Sequence, residues 1–311
     1  MSIQWYPGHM HKATREIREM LPKVDLIIEV VDARLPYSSA NPVIARLRGN
    51  KPCIKLLNKS DLADPTVTEQ WLEYLNSQPG TRAMAINMSE GDRIQRINDL
   101  CFKLVPKQAE SIGYLNAMIM GIPNVGKSTL INALAGRVVA KTGNEPAVTK
   151  SQQRINLNNG IMLFDTPGIL WPKVENPNSG YRLALTGAIK DTAIDYDDIG
   201  FYAADFLLKH YPELLKQRYQ LDSLPATELE FLEIIGRKRG CLGGGGRVDL
   251  NKICKLLLTE LRDGTLGPIS LETPAMAAQE TIETATQMQR QAEEKAARKA
   301  ERKQRFNKRK K

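Results

Sequence analysis

Apolar side chains along this chain follow two rhythms. Short and largely apolar runs, Val24 to Asp32, Cys53 to Leu57, Arg82 to Asn87 and Tyr114 to Gly121, have the length and near-continuous burial expected of strands covered on both faces. Between them, apolar residues recur at helical spacing: Pro42 to Arg48, Pro65 to Ser77 with Trp71, Leu72 and Leu75 on one face, and Ile94 to Val105. A further helix is predicted over Lys127 to Leu134. Arg154 to Leu157 and Ile161 to Phe164 flank Asn158-Asn159-Gly160, a turn signal that predicts a hairpin. Strand and helix therefore alternate, which predicts an α/β fold built on a doubly wound, mostly parallel sheet.

From about Pro177 the pattern changes. Helices are predicted near Ile199 to His210, Glu213 to Arg218, Thr227 to Arg239 and Leu250 to Arg262, with no strand signal between them. Beyond Pro274 the chain is mostly Ala, Gln, Glu, Lys and Arg, with too few large apolar residues to build a core. The expected organisation is an α/β domain over residues 1–176, a small all-helical domain over 177–268, and a mobile basic tail over 269–311.

Length supports two domains: 311 residues, 42% of them apolar, suffice for proper cores. Cys53, Cys101, Cys241 and Cys254 lie far apart without a CxxC spacing, as expected of free thiols in a reducing compartment. The start, Met1 to His9, lacks the basic and apolar regions of a signal peptide, and no apolar run approaches ~18 residues. A cytoplasmic protein without membrane contact, working as a monomer, is expected. Net charge is +9, but residues 290 to 311 hold eleven Lys or Arg against three Glu, a net of +8. The basicity belongs to the tail, not to the body.

Candidate chemistry starts at Gly121-Ile122-Pro123-Asn124-Val125-Gly126-Lys127-Ser128, which follows a predicted strand and opens a predicted helix. In such a loop glycines let backbone N–H groups face phosphates, a lysine (Lys127) neutralises them, and a hydroxyl (Ser128) ligates magnesium, with Val125, Gly126 and Thr129 completing the cradle. Asp165-Thr166-Pro167-Gly168, at a strand end, offers an acid for magnesium and a glycine N–H, that of Gly168, for the γ-phosphate. Thr149, in the loop from Lys141 to Gln153, could bring a hydroxyl to the same magnesium; Thr142 and Thr166 compete for that role. For the base, Asn58-Lys59-Ser60-Asp61 reads as a guanine clamp. Asp61 would accept the N1–H and 2-amino protons that adenine does not present, Asn58 would brace the loops, and the Lys59 stem would cover the ring. Asn87-Met88-Ser89 follows the next strand, where a backbone N–H at Asn87 or Ser89 could meet the guanine O6. The ligands implied are GTP and GDP with magnesium.

In ordinary GTPases the phosphate loop, threonine switch and DxxG precede the guanine clamp and its backing loop; here the last two come first. The chain therefore resembles the circularly permuted GTPases, and within them those with an apolar residue where many GTPases carry a catalytic glutamine. Trp5-Tyr6-Pro7-Gly8-His9-Met10, Val31-Asp32-Ala33-Arg34-Leu35-Pro36, Gly121 to Ser128, Asp165 to Pro172 and Arg239-Gly240-Cys241 carry the resemblance, over about residues 1 to 268. It implies a circularly permuted P-loop GTPase domain followed by a helical RNA-binding domain. The implied activity is GTP hydrolysis in assembly of the large ribosomal subunit, with the subunit precursor, its rRNA and ribosomal proteins as partners. Ile169, after DxxG, can neither donate to nor accept from water. Catalytic help must then come from elsewhere: His9, to which the resemblance lends a catalytic part, or a potassium ion held by Asn124.

Three basic clusters could meet RNA. Lys12, Arg15 and Arg18 share a helix face, Arg237-Lys238-Arg239 precede the Gly243 to Gly246 loop, and Arg298, Lys299, Arg302, Lys303, Arg305, Lys308, Arg309, Lys310 and Lys311 line the tail. A charged face that merely meets solvent is the plain alternative for the first, and an exposed interdomain or surface loop for the second. Two functions follow: a hydrolase stimulated by its ribosomal particle, or a GTP-gated RNA-binding scaffold whose hydrolysis is incidental. A P-loop kinase conflicts with Asn58 to Asp61.

Overall fold

β1 (Leu26–Asp32) is buried along its whole length, as its near-continuous apolar run requires. In the computed structural model, which describes residues 9–88, 91–106, 113–140, 153–171 and 174–309, it sits at the centre of a six-stranded sheet. The other strands are β2 (Cys53–Asn58), β3 (Thr81–Ile86), β4 (Leu115–Gly121), β5 (Gln153–Asn156) and β6 (Ile161–Asp165), in the order β3-β2-β1-β4-β6-β5. All neighbours run parallel except β5, which turns back on β6 as the predicted hairpin. From β1 the chain winds outward through β2 and β3, then returns to β4 on the other side. The order reverses between β1 and β4, where open α/β sheets bind ligands at their strands' carboxyl ends. Register brings those ends together: Asp32 pairs with Asn58, Val30 with Gly121, and Ile119 with Asp165.

Helices α1 (His9–Met20), α2 (Pro42–Arg48), α3 (Pro65–Asn76), α4 (Gly91–Leu104) and α5 (Lys127–Ala135) cover the sheet. Their starts are written locally: Asn41 accepts from Val43 N at α2, and Asp64 from Thr66 N and Val67 N at α3, each with proline in the first turn. In α1, Met10, Ala13 and Ile17 point into the core while Lys12, Arg15 and Arg18 are exposed.

The helical part comprises α6 (Pro177–Leu185), α7 (Tyr196–His210), α8 (Pro212–Tyr219), α9 (Glu228–Lys238) and α10 (Leu250–Arg262), with α7 packed against the other four. Its core does not stand apart. One cluster of buried apolar residues runs from Met10 and Ile28 through Ile169 and Leu183 to Phe231, Leu257 and Leu271. A mobile tail from residue 269 is corrected by the structure. Ile269, Ser270, Leu271 and Glu272 are each at most 3% exposed. Ile269 N donates to Leu62 O, Leu271 N to Arg34 O, and Trp71 Nε1 to Glu272 O. Glu272 accepts from Tyr37 N, Ser38 N and Arg182, and Glu280 pairs with Arg182 at 2.7 Å. Scarce apolar side chains predict no packing beyond Pro274, yet Glu280 there and Glu272 just before it, paired with a buried arginine and backbone amides, hold the segment. It leads into α11 (Pro274–Arg309), whose side chains from Thr281 to Lys299 are exposed or half-buried. Among the described residues no helix is long and apolar enough to cross a membrane.

Candidate functional site

The loop between β4 and α5 wraps over the carboxyl end of the sheet. Asn124 (φ 60) and Gly126 (φ 91) take left-handed conformations, which turn the chain tightly enough for α5 to begin at Lys127. Gly126 must be glycine on a second count, because a Cβ there would lie 2.2 Å from Asn58 Nδ2. That closeness is the lock between the two motifs. Asn58 Nδ2 donates to Val125 O at 2.6 Å, and Lys59 Nζ donates to Asn124 O at 2.9 Å. Residues some sixty positions apart in sequence thus brace one loop. Lys59 itself is left-handed (φ 60), so the chain turns sharply at the clamp and leaves Asp61 exposed at its rim.

Lys127 is 8% exposed and donates to the carbonyls of Gly121 (3.3 Å) and Ile122 (3.1 Å). Burial pulls its ammonium down to about 8, with the Asp165 charge opposing. Asp165 is 1% exposed, and neither carboxylate oxygen has a hydrogen-bond partner among the described residues. Burial raises it to about 6, against the Lys127 charge and the Thr166 amide. Burial pushes both groups toward neutrality against their mutual attraction, so the charged forms of both would be favoured by a ligand that brings an anion to Lys127 and a cation to Asp165. A magnesium-bound polyphosphate supplies both. Among the described residues no three His, Cys, Asp or Glu side chains form a metal cage. An ion held by one carboxylate, one hydroxyl and phosphate oxygens would take Asp165 and half-buried Ser128 as the protein's share.

The stretch after DxxG is pinned from three sides. Ile169 N donates to Gly121 O, Asn41 Nδ2 donates to Ile169 O at 2.8 Å, and Leu170 N lies 3.4 Å from Met10 Sδ. Ile169 and Leu170 are 1% and 2% exposed, so neither side chain reaches solvent. Gly168 lies under the loop, where a Cβ would meet Pro123 at 3.0 Å and Lys127 Nζ at 3.1 Å. Thr166 donates its hydroxyl to Ile119 O and is fully buried, so it faces the sheet.

His9 opens α1, one residue before the Met10 that touches Leu170; its side chain lies outside the described residues. Thr149, its competitor Thr142, and Ser89 lie outside them too. Asn87 follows β3, half-buried, beside the end of the clamp strand. Thr129 is exposed on the first turn of α5. Asn124 donates its amide to Gly187 O at 2.7 Å, just beyond α6, so the residue considered for potassium also ties the phosphate loop to the helical part.

The second basic cluster is largely engaged within the fold. Arg237 pairs with Glu233, Lys238 with the carbonyls of Tyr219 and Gln220, and Arg239 with Glu260. The Gly243 to Gly246 loop is exposed, and a Cβ at Gly244, Gly245 or Gly246 would touch nothing within 4 Å. Sequence reasoning missed the part played by Asn41 and the burial of Arg34 and Glu272; an Asp-x-Arg closing a buried strand was the available signal for the second.

A family model described as "50S ribosome-binding GTPase" matches residues 116–216. The chain is 48% identical to "Ribosome biogenesis GTPase A" of Priestia megaterium, over 90% of this chain and 99% of the relative. Among solved structures it is similar to the GNP-bound YlqF from T. maritima, with 30% identity and a TM-score of 0.58 over 85% of this chain and 98% of that one. The GDP-bound form of TM YlqF matches with a TM-score of 0.60, over 84% and 100%.

Proposed function

Since the chain belongs to the ribosome biogenesis GTPase A family, and is thus a GTPase, we propose that it acts on the precursor of the large ribosomal subunit. In this reading it docks on rRNA in a GTP-dependent way and hydrolyses GTP faster when docked. The observation that carries the nucleotide half is the lock between Asn58, Lys59 and the phosphate loop. Asp61 would read guanine, Lys127 and Gly168 would hold the terminal phosphates, and Ser128, Asp165 and Thr149 would hold magnesium. When bound, magnesium serves to neutralise charge developing on the phosphates.

The buried Ile169 supports a site that gets its catalytic help from other residues. His9 is the leading candidate, because its helix already touches Leu170. A potassium ion at Asn124 is the second. The exposed Lys12, Arg15 and Arg18 face, the glycine loop and α11 are the proposed RNA contacts.

Turnover measured with and without purified large subunits tests the proposal. Stimulation of tenfold or more, lost when small subunits replace large ones, is the expected outcome (on the order of the effects a supplied catalytic group can have). Nucleotide-dependent co-sedimentation with no stimulation would favour the GTP-gated scaffold instead.

A further inference from the structure

Asp32 ends β1, beside Asn58 at the end of β2, and is 2% exposed. Its Oδ1 accepts from Arg34 Nε at 2.9 Å and its Oδ2 from Arg34 Nη2 at 2.8 Å. The same Oδ2 lies 3.2 Å from Lys59 Nζ, the ammonium that also reaches Asn124 O. Burial alone would push the Asp32 carboxyl up, but the charges of Arg34 and Lys59 hold it well below the usual carboxylate range. Arg34 is 1% exposed, and its remaining nitrogen, Nη1, donates to Leu261 O at 3.3 Å and Arg262 O at 3.5 Å. Those are the last two carbonyls of α10, which have no partner within the helix and carry the negative end of its dipole.

Three segments far apart in sequence therefore share one buried set of charges: the guanine clamp, the turn after β1, and the last turn of α10. Buried charges persist only when paired and hydrogen-bonded, so a shift in one member is felt by the others. Lys59 is the loosest, with its side chain 27% exposed; the Asp32 and Arg34 side chains are 3% and 2% exposed. A purine ring laid against the Lys59 stem would exclude water from the Lys59–Asp32 pair and strengthen it.

We propose that Asp32 and Arg34 are positioning residues that couple the guanine clamp to the helical part. Asp32 holds Lys59 over the base, and Arg34 carries the position of Asp32 to the end of α10. This rests on reading Asn58 to Asp61 as the clamp. The link begins at the base, so it reports that a nucleotide is present rather than how many phosphates it carries. That separates it from any signal passing through Ile169, which would need the γ-phosphate. By linkage, a partner pressing on the end of α10 changes nucleotide affinity by the same factor.

The test is amide hydrogen exchange across residues 257–267 of the full chain, alone and saturated with GDP or a non-hydrolysable GTP analogue. GDP binding is first confirmed by fluorescence titration. Both nucleotides are expected to slow exchange there by about fivefold or more, the lower end of ordinary coupling between sites. Arg34→Lys keeps the charge but cannot span the carboxylate and both carbonyls, so it should erase the GDP effect. Lys59→Met, which leaves Asp32 paired with Arg34 and whose fold is checked by circular dichroism, should erase it at saturating GDP as well. Failure of GDP to bind the unaltered chain overturns the clamp reading and the coupling with it. GDP binding without slowed exchange, slowing by the GTP analogue alone, or slowing retained in Lys59→Met overturns the coupling alone.

Discussion

At the scale of single residues, the nucleotide end is a set of positions with no room for change. Gly126 combines a left-handed backbone with a Cβ position 2.2 Å from Asn58 Nδ2. Gly126→Ala must therefore either strain the loop, at about 1–2 kcal/mol, or expel Asn58 from Val125 O. We expect GDP affinity to fall by about tenfold or more, since ~1.4 kcal/mol is a factor of ten. Isothermal titration checks it, and unchanged affinity would mean that the lock does not govern binding. Asp61→Asn removes the acceptor for the guanine N1–H and 2-amino protons. GDP binding should weaken by about a hundredfold, a loss in keeping with two charge-assisted hydrogen bonds, while xanthosine diphosphate, whose base offers an acceptor there, should bind the variant better than GDP. For His9, the contact between Met10 Sδ and Leu170 N places only the backbone. If the imidazole acts on the attacking water, His9→Ala should lower subunit-stimulated turnover by about a hundredfold, the lower range for acid–base assistance, with GDP affinity unchanged. Equal turnover in the two proteins would eliminate the role.

Among elements, the helical part is held by buried charge as much as by apolar packing. Glu260 of α10 is 3% exposed and accepts from Arg218, Tyr219 and Arg239. Burial pushes its carboxyl up, but hydrogen bonds from Arg218 and Tyr219 and the two arginine charges outweigh it and leave it below its ordinary value. A carboxylate with a depressed folded-state pKa stabilises fully above its unfolded pKa and loses that contribution as pH falls through the folded one. Glu260→Gln should cost about 1.5–3 kcal/mol at neutral pH, the range for a hydrogen bond to a charged group, and the difference from the unaltered protein should shrink in acid. Thermal unfolding of both chains at pH 7 and pH 3 decides it. The elements themselves were legible from periodicity: β1, β2, α3 and α10 fall where apolar spacing puts them, because burial on one face or two leaves that trace. The phosphate loop and DxxG were legible because their chemistry needs fixed residue types. Arg34, Arg182, Glu260 and Glu272 were not, since a charged residue's spacing does not say whether a partner more than forty positions away, as in each of these cases, will meet it in the core.

For the whole molecule, the question is where the folded body ends and the basic arm begins. The sequence-based expectation puts that border near residue 269, with the composition changing beyond Pro274, but Glu272 and Glu280 both clasp Arg182, and Thr281 bonds Tyr37 across the turn that follows β1. A chain cut near Glu272 would take at least Glu280 away from Arg182, a fully buried guanidinium, and so confuse loss of RNA contact with loss of fold. Truncation after Gln287 leaves these contacts whole and removes the net +8 carried by residues 290 to 311. That chain should melt within ~2 °C of the full one, as expected when only exposed residues are removed, and keep its GDP affinity. Its binding to large subunits should weaken and lose salt dependence. If the arm engages ~5 phosphates, the log-log slope against salt should become shallower by about 4, at roughly 0.7 to 0.9 per phosphate. Co-sedimentation from low to moderate salt, in GTP analogue and in GDP, measures that slope directly. An unchanged slope would leave the exposed face of α1 and the Gly243 to Gly246 loop as the RNA contacts, and would make nucleotide control of docking a property of the body alone. A slope that falls equally in both nucleotides would instead divide the labour: the arm supplies affinity without reading the nucleotide, and the body, through the phosphate loop and the turn after β1, decides when docking is held.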